Sequence, residues 1–362
     1  MNLIKSFLGL LGRTLLIWLT LDFFAGNYIL TVSGLAENAG GGIKHDVYHH
    51  DLASNYSGFA GWGDFEYPIC TNDFGFRDTC SKNKQLNSKT IDVAFIGDSF
   101  TKAVGVDWDD SYVGLVKNKF SSLNIANLGV SSYAPSIYYS KLKYLLEKGF
   151  EIKKLVVAID ISDIQDEIKS YRLLEDGRVV DRKEKTTLQK IKSFNRWAFP
   201  LTVRLRRIQL DSEKQSRHEV KSIGEIHPFE KPQYAWTYKN IPAEDFGEMS
   251  SDDALRVASK NMMKLATLAA DHKIDLHVMV YPWPGQLLYD KASSLQVSHW
   301  EEFCVNNCVA FINTFPDFFD ASESVGADSF IEKMYIPGDV HFSADGNKFL
   351  FESFLKNQKV FE

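Results

Sequence analysis

Apolar and polar positions follow different rhythms along this chain, and each rhythm predicts its own kind of structure. From Met1 to Val32 the chain is largely apolar, with Lys5 and Arg13 ahead of a Leu-Leu-Ile-Trp-Leu-Thr-Leu run that begins at Leu15. A membrane span needs about 20 mostly apolar residues, and Thr14 to Val32 supplies nearly that, with Asp22 as the flaw. A carboxylate at a helix centre costs roughly 2.5–3.5 kcal/mol on insertion scales, a penalty the neighbouring Leu, Ile, Phe and Trp residues offset together. The expectation is an N-terminal transmembrane helix within an anchor over 1–34, retained rather than cleaved. Basic residues on its N-terminal side place the rest of the chain outside the cytoplasm. A cleaved signal peptide is the runner-up, suggested by the small residues from Ser33 to Gly41.

Past that segment the rhythm fades. Gly40 to Gly42 reads as a joint, and 35–89 reads as a loop-rich lead-in with short strands. At Thr90 a regular alternation of strand and helix begins. Ile91 to Ile96 is a short buried strand. Asp109 and Ser111 suit a helix start, with Val113, Val116 and Phe120 recurring at helical spacing. Asn124 to Leu128 reads as a strand. A helix follows around Ser136 to Glu147, with Ile137, Tyr138, Leu142, Leu145 and Leu146 on one face and Gly149 at its end, and then a strand from Lys154 to Ile161. Three strands separated by two helices imply right-handed crossovers. The expected fold class is therefore α/β, a three-layer α/β/α sandwich around a parallel, doubly wound sheet occupying 90–362. Regularity lapses in an inserted segment at about 170–245. It resumes with a helix over 252–272, a strand over 275–281, a helix through Trp300 to Cys304, a strand over 309–312 and a last helix after Ser343.

Composition narrows the picture. A hydrophobic fraction of 44% beside 24% charged residues supports a folded core rather than a disordered chain. A net charge of -6 argues against a nucleic-acid partner, which calls for a basic excess. The basic stretch from Arg196 to Lys221 reads as a solvated helix face ahead of a site for anionic glycans or lipid headgroups. Cys70 with Cys80 and Cys304 with Cys308 form two close pairs, an even count that suits two local disulfides in an oxidising compartment. Four cysteines allow three connectivities, and sequence does not choose among them. Zinc is disfavoured, since neither pair is a C-x-x-C.

Two short blocks carry the chemistry. Gly97-Asp98-Ser99-Phe100-Thr101 lies where a buried strand turns into a helix, at the carboxyl edge where open α/β sheets bind ligands. A serine there meets outward-pointing backbone N–H groups that favour a developing anion, although serines also cap helices without any catalytic role. Near the far end, Pro337-Gly338-Asp339-Val340-His341 puts a carboxylate and an imidazole on one loop. A serine hydroxyl becomes a strong nucleophile when an imidazole takes its proton and a carboxylate fixes that imidazole. Ser99, His341 and Asp339 fit those roles.

With Gly-Asp-Ser early and Asp-x-His late, the chain resembles the SGNH (GDSL-like) hydrolase family from about Asn72 to Phe354. Asn72-Asp73-Phe74-Gly75-Phe76-Arg77 is similar to the Asn-x-x-Gly-Phe-Arg segment that precedes the nucleophile in anchored members, and Asn127-Leu128-Gly129 to the family's second block. The resemblance implies an acyl-enzyme on Ser99, an oxyanion held by the amides of Ser99 and Gly129, and no cofactor. Where the family's third block has Asn-Asp, this chain has Ser162-Asp163. Ser162 is therefore the candidate third oxyanion donor, with Asp160 a potential source of repulsion. The Asp-x-His spacing is similar to SGNH proteins of polysaccharide O-acetylation. It implies a carbohydrate or acyl-ester substrate, acetyl chemistry and a membrane-bound acyl donor as partner. The rivals are a non-catalytic glycan-binding or assembly protein and a lipid-directed esterase. His45, Asp46, His49, His50 and Asp51 form a dense cluster read as a substrate-lining or solvated loop ahead of a metal site. Tyr281-Pro282-Trp283-Pro284 reads either as a sugar-stacking platform or as loop packing.

Overall fold

A computed structural model of the chain describes residues 2–26, 28, 40–62, 65–183, 187–203, 205–206, 234–244, 246–356 and 360–361. In chain order the elements are α1 (Asn2–Leu21), β1 (Gly42–His45), β2 (His49–Leu52), β3 (Ser57–Trp62), β4 (Phe65–Thr71), β5 (Arg77–Asp78), β6 (Thr90–Gly97), α2 (Ser99–Lys102), α3 (Tyr112–Lys119), β7 (Ile125–Asn127), α4 (Pro135–Glu147) and β8 (Glu151–Ile159). There follow α5 (Asp163–Lys169), β9 (Tyr171–Leu173), β10 (Val179–Asp181), α6 (Thr187–Ala198), α7 (Ser251–Asp271), β11 (Asp275–Val280), α8 (Pro284–Tyr289), α9 (Leu295–Asn307), β12 (Ala310–Asn313), α10 (Phe315–Val325), α11 (Ala327–Met334) and α12 (Ala344–Leu355). They divide into two compact units, Met1–Ala39 with Glu184–Ile226, and Gly40–Lys183 with His227–Glu362.

The second unit is built on an eight-stranded sheet in the order β12-β11-β8-β6-β7-β5-β4-β3. Strands β12, β11, β8, β6 and β7 run parallel. The central β8 is apolar and fully buried from Leu155 to Ile159, as expected of a strand covered on both faces. The chain goes from β6 outward to β7 and then back across β6 to β8. With both crossovers right-handed, their helices lie on opposite faces of the sheet, which gives the three layers. Helices α4, α5 and α7 pack together as one group, and α3, α11 and α12 as another. The order of travel reverses between β6 and β8, so the crevice beyond their carboxyl ends is the topological switch point where doubly wound sheets take ligands.

The sheet is not purely parallel, which corrects the expectation. Strands β5, β4 and β3 extend it beyond β7 in antiparallel pairings, so part of the supposed lead-in forms one end of the main sheet. Gly58, Gly61 and Pro68 interrupt the apolar alternation there and read as breakers. Tyr67 and Ile69 nevertheless enter the core. Both cysteine pairs are disulfides, Cys70–Cys80 and Cys304–Cys308.

In the first unit, α1 ends at Leu21 and a single widened turn, Asp22–Gly26, follows. The buried Asp22 carboxylate accepts hydrogen bonds from the amides of Leu201 at 2.7 Å and Thr202 at 3.0 Å, and from the Thr202 hydroxyl. Trp18 donates its indole N–H to Thr202 Oγ1 at 3.1 Å. The expected transmembrane helix is thereby corrected: among the described residues, no helix is long and apolar enough to cross a membrane. Asp22 interrupts the apolar run at the widened turn, where its carboxyl is met by backbone N–H groups. Leu15, Leu16, Ile17, Trp18 and Leu21 remain exposed on α1. Residues 29–39, and most of the basic stretch from Arg196 to Lys221, lie outside the described residues.

Candidate active site

The nucleophile turn begins where β6 runs out. Gly97 pairs in register with Ala158 on β8, and a Cβ on it would stand 2.7 Å from the Ala158 carbonyl oxygen, so the two strands can approach only with glycine there. Asp98 caps α2 by accepting the Phe100 amide at 2.9 Å. Ser99 is the first residue of that helix, so its amide lies outside the intrahelical ladder. Residues at the other end hold α2 in place. Buried Arg77 donates to the carbonyls of Lys102 and Ala103, and to that of Val106 at 2.6 Å. Asn72 Oδ1 accepts the amides of Phe74 at 3.0 Å and Phe76 at 3.1 Å, shaping the turn that delivers Arg77. The Asn-x-x-Gly-Phe-Arg segment is thus a buttress for the nucleophile helix.

The second half of the site arrives on a pinched loop. Ile336-Pro337-Gly338-Asp339 forms a turn closed by Asp339 N–H to Ile336 C=O at 2.9 Å, with Gly338 at φ 72°. Proline second and glycine third are what a type II turn favours. Ile336 N–H then bonds to His341 C=O at 2.8 Å, and Ser343 N–H to Met334 C=O at 2.9 Å. This folding lets a two-residue spacing work, since Asp339 Oδ1 accepts both the His341 amide, at 2.9 Å, and the ring Nδ1–H. His341 Nε2 lies 2.8 Å from Ser99 Oγ. Residues 240 positions apart in sequence, Ser99 and the Asp339–His341 pair, meet at the switch-point rim.

Sequence reading missed Trp62 and left Trp283 between two roles. Trp62, at the end of β3, donates its indole N–H to Asp339 Oδ2 at 2.8 Å and stands edge-on to the His341 ring at 4.8 Å between centroids. Burial by itself raises the Asp339 carboxyl, but its hydrogen bond to His341 and that residue's charge outweigh this, with help from the His341 amide and Trp62, and hold it at about 2. Trp283 is buried against Phe100 and donates its indole N–H to Asp160 Oδ2 at 2.9 Å. The Tyr-Pro-Trp-Pro segment is accordingly packed loop, with its aromatic faces used internally. No short-range periodicity signals the role of Trp62, because its partner Asp339 comes from a distant part of the chain.

The expected oxyanion donors are arranged differently from the expectation. Ser162 donates its hydroxyl to Asp160 Oδ1 at 2.7 Å. A hydroxyl has one hydrogen, and the buried carboxylate two residues earlier takes it, so Ser162 offers none toward Ser99. Gly129 is required sterically, since a Cβ would meet Lys102 N at 2.8 Å, but its amide donates to Asn127 Oδ1 at 2.9 Å. Of the three candidate donors, the Ser99 amide alone sits free of such an internal acceptor by its position at the helix start.

The histidine cluster after residue 44 serves packing. His45 stacks on Tyr48 at 3.6 Å between centroids, and its Nδ1 accepts the amides of Val47 and Tyr48. His50 reaches the Ser131 carbonyl at 2.9 Å, and Asp51 pairs with buried Lys141 at 2.8 Å. Among the described residues, no group of three or more His, Cys, Asp or Glu side chains is placed to hold a metal ion.

No family model and no curated protein matches the chain. Among solved structures, the chain is similar to TesA, at 12% identity and a TM-score of 0.41, covering 75% of this chain and 98% of that one. It is similar to a catalytic mutant of Axe2, an acetylxylan esterase from Geobacillus stearothermophilus, at 11% and 0.40, covering 74% and 93%. A third similar structure is a member of the lipolytic protein G-D-S-L family from Veillonella parvula, at 11% and 0.40, covering 73% and 96%.

Proposed function

We propose that this chain is a serine-dependent O-acyl ester hydrolase or acyltransferase of the SGNH kind, acting outside the cytoplasm on acetylated carbohydrate. The observation that carries the reading is the 2.8 Å contact of His341 Nε2 with Ser99 Oγ, backed by Asp339 on the other ring nitrogen. Ser99 Oγ attacks the ester carbonyl carbon while its proton passes to His341 Nε2. Asp339, anionic above about pH 2, fixes the tautomer and offsets the imidazolium charge. His341 then gives the proton to the departing alcohol oxygen, which leaves an acyl-enzyme on Ser99. Water or a sugar hydroxyl, deprotonated by His341, attacks that ester, and Ser99 Oγ leaves with the proton. The Ser99 amide faces the oxyanion, and Gly129 joins it once its N–H exchanges Asn127 for substrate. Such donors are worth about 2.7–4 kcal/mol each in acyl transfer.

The two disulfides support an oxidising compartment, and the Asp-x-His spacing supports carbohydrate O-acyl chemistry. Transfer would draw acyl groups from a membrane-bound donor partner, and the exposed apolar residues of α1 suit a location at a membrane surface. A fluorophosphonate probe should label the purified protein, and Ser99→Ala should abolish labelling. An activated acetyl ester, with and without an oligosaccharide acceptor, then separates hydrolysis from transfer by product. A second reading, a glycan-binding protein that keeps the fold without catalysis, is favoured by the internal acceptors of Gly129 and Ser162. Absence of labelling with glycan binding intact would select it.

A further inference from the structure

The serine hydroxyl has two acceptors for one hydrogen. Ser99 Oγ lies 2.8 Å from His341 Nε2 and 3.0 Å from Asp98 Oδ2. Only the bond to His341 leads to proton transfer, so the state of Asp98 decides where the hydrogen points. If Asp98 is a carboxylate, it draws the hydroxyl hydrogen away from the imidazole. If it is a carboxylic acid, its own O–H can donate from Oδ2 to Oγ, while Oδ1 still accepts the Phe100 amide at 2.9 Å.

The surroundings of Asp98 bear on that choice. Asp98 is buried, and across the switch point Asp160 is buried as well. Asp160 accepts three hydrogen bonds, from the Ser162 amide and hydroxyl at 2.7 Å each and from Trp283 Nε1 at 2.9 Å. Asp98 has one uncontested donor, the Phe100 amide. Two buried carboxyls that repel each other share a single negative charge most easily, and the better-solvated partner keeps it. That partner is Asp160. Burial first, and the charge of Asp160 next, raise the Asp98 carboxyl well above its usual range. The other ionisable groups around it act in the same direction or are neutral phenols: Asp163 and Asp166 beyond β8, Tyr112 on α3, Tyr138 on α4 and Tyr281 after β11. His341 faces it across Ser99 Oγ as a basic group.

We propose that Asp98 is a proton gate for the nucleophile: as a neutral acid it donates to Ser99 Oγ and leaves the serine hydrogen to His341, and as a carboxylate it takes that hydrogen itself. Opening the gate moves one proton from solvent to Asp98, and no other bond changes. The neutral acid also hydrogen-bonds Oγ when that oxygen departs from the acyl-enzyme. Activity therefore falls on the alkaline side, where Asp98 gives up its proton.

The gate rests on the serine-hydrolase reading, and the test separates the two. The rate of fluorophosphonate labelling of the full chain is measured against pH for the wild type, Asp98→Asn and Asp160→Asn, with thermal melting to confirm folding. Asparagine can accept the Phe100 amide and donate permanently to Oγ, so D98N is expected to lose the alkaline limb. It should hold a plateau where the wild-type rate falls about tenfold per pH unit. D160N removes the charge that adds to burial in raising Asp98, so its alkaline limb should move to lower pH. It serves as the second variant if D98N does not fold. An alkaline limb unchanged in D98N or unmoved in D160N overturns the gate alone. No labelling of the wild type at any pH overturns the hydrolase reading and the gate with it.

Discussion

The C-terminal loop and the nucleophile turn each bring a carboxylate to the same serine–histidine pair, and their surroundings drive the two in opposite directions. Asp339 sits part-buried with donors on both oxygens, His341 on one and Trp62 on the other, and is held at about 2. Asp98 is buried opposite another carboxylate and is raised. The two aspartates of one site are thus shifted in opposite directions, one by N–H donors that overcome its burial and the other by deeper burial with an acid beside it. Burial raises both, and the donors around Asp339 reverse that shift where the acids around Asp98 add to it.

The comparison can be broken most forcefully at the reacting atoms themselves. Ser99→Ala and His341→Ala should each cost about 10⁶-fold in turnover of an activated ester, since the pair acts as a unit. A residual rate within tenfold of the wild type would place the chemistry elsewhere. Next comes Asp339→Asn, which leaves the loop geometry but presents the wrong hydrogen-bond partner to Nδ1. A loss near 10⁴-fold is expected, against the far milder, pH-profile effect expected of Asp98→Asn. Equal losses in the two variants would erase the distinction drawn between the carboxylates.

Trp62→Phe sharpens the comparison at lower amplitude. It removes one charged hydrogen bond from Asp339, of the class worth about 1.5–3 kcal/mol, and should lower turnover roughly tenfold or more with the fold intact by circular dichroism. The smallest effects lie in stability. The native-state pKa of Asp339 is below its unfolded value, so its contribution is present above about pH 4 and is lost as the pH falls toward 2. Asp98 has the opposite sign. Its raised native-state value means that stability declines as the pH climbs from about 4 toward that value. Asp98→Asn should therefore melt higher than the wild type at pH 8 and nearly equally at pH 4. A larger gain at pH 4 would reverse the assignment.

Much of the parallel core was legible before the fold was known. The buried runs that became β6, β8 and β11 are largely apolar, and Ser111 and Ser343 cap α3 and α12, so periodicity and capping suffice. The antiparallel end was hidden by Gly58, Gly61 and Pro68, whose tolerance depends on the strands they pair with. Helices α10 and α11 were also missed, two short amphipathic elements between β12 and the Asp339 loop.

Within the site, the sequence by itself determined which groups were available: a serine behind a strand, and an aspartate and histidine sharing a loop. That follows because strand ends and helix starts are local matters of residue order. Three of the site's hydrogen bonds are also local in the chain: Ser162 to Asp160, Gly129 to Asn127 and Ser99 Oγ to Asp98. Tertiary structure alone decided that Ser99 Oγ also meets His341 and that Trp283 meets Asp160. A hydrogen bond needs its partners within about 3 Å, and these stand 242 and 123 positions apart, on segments that meet only when the sheet is assembled.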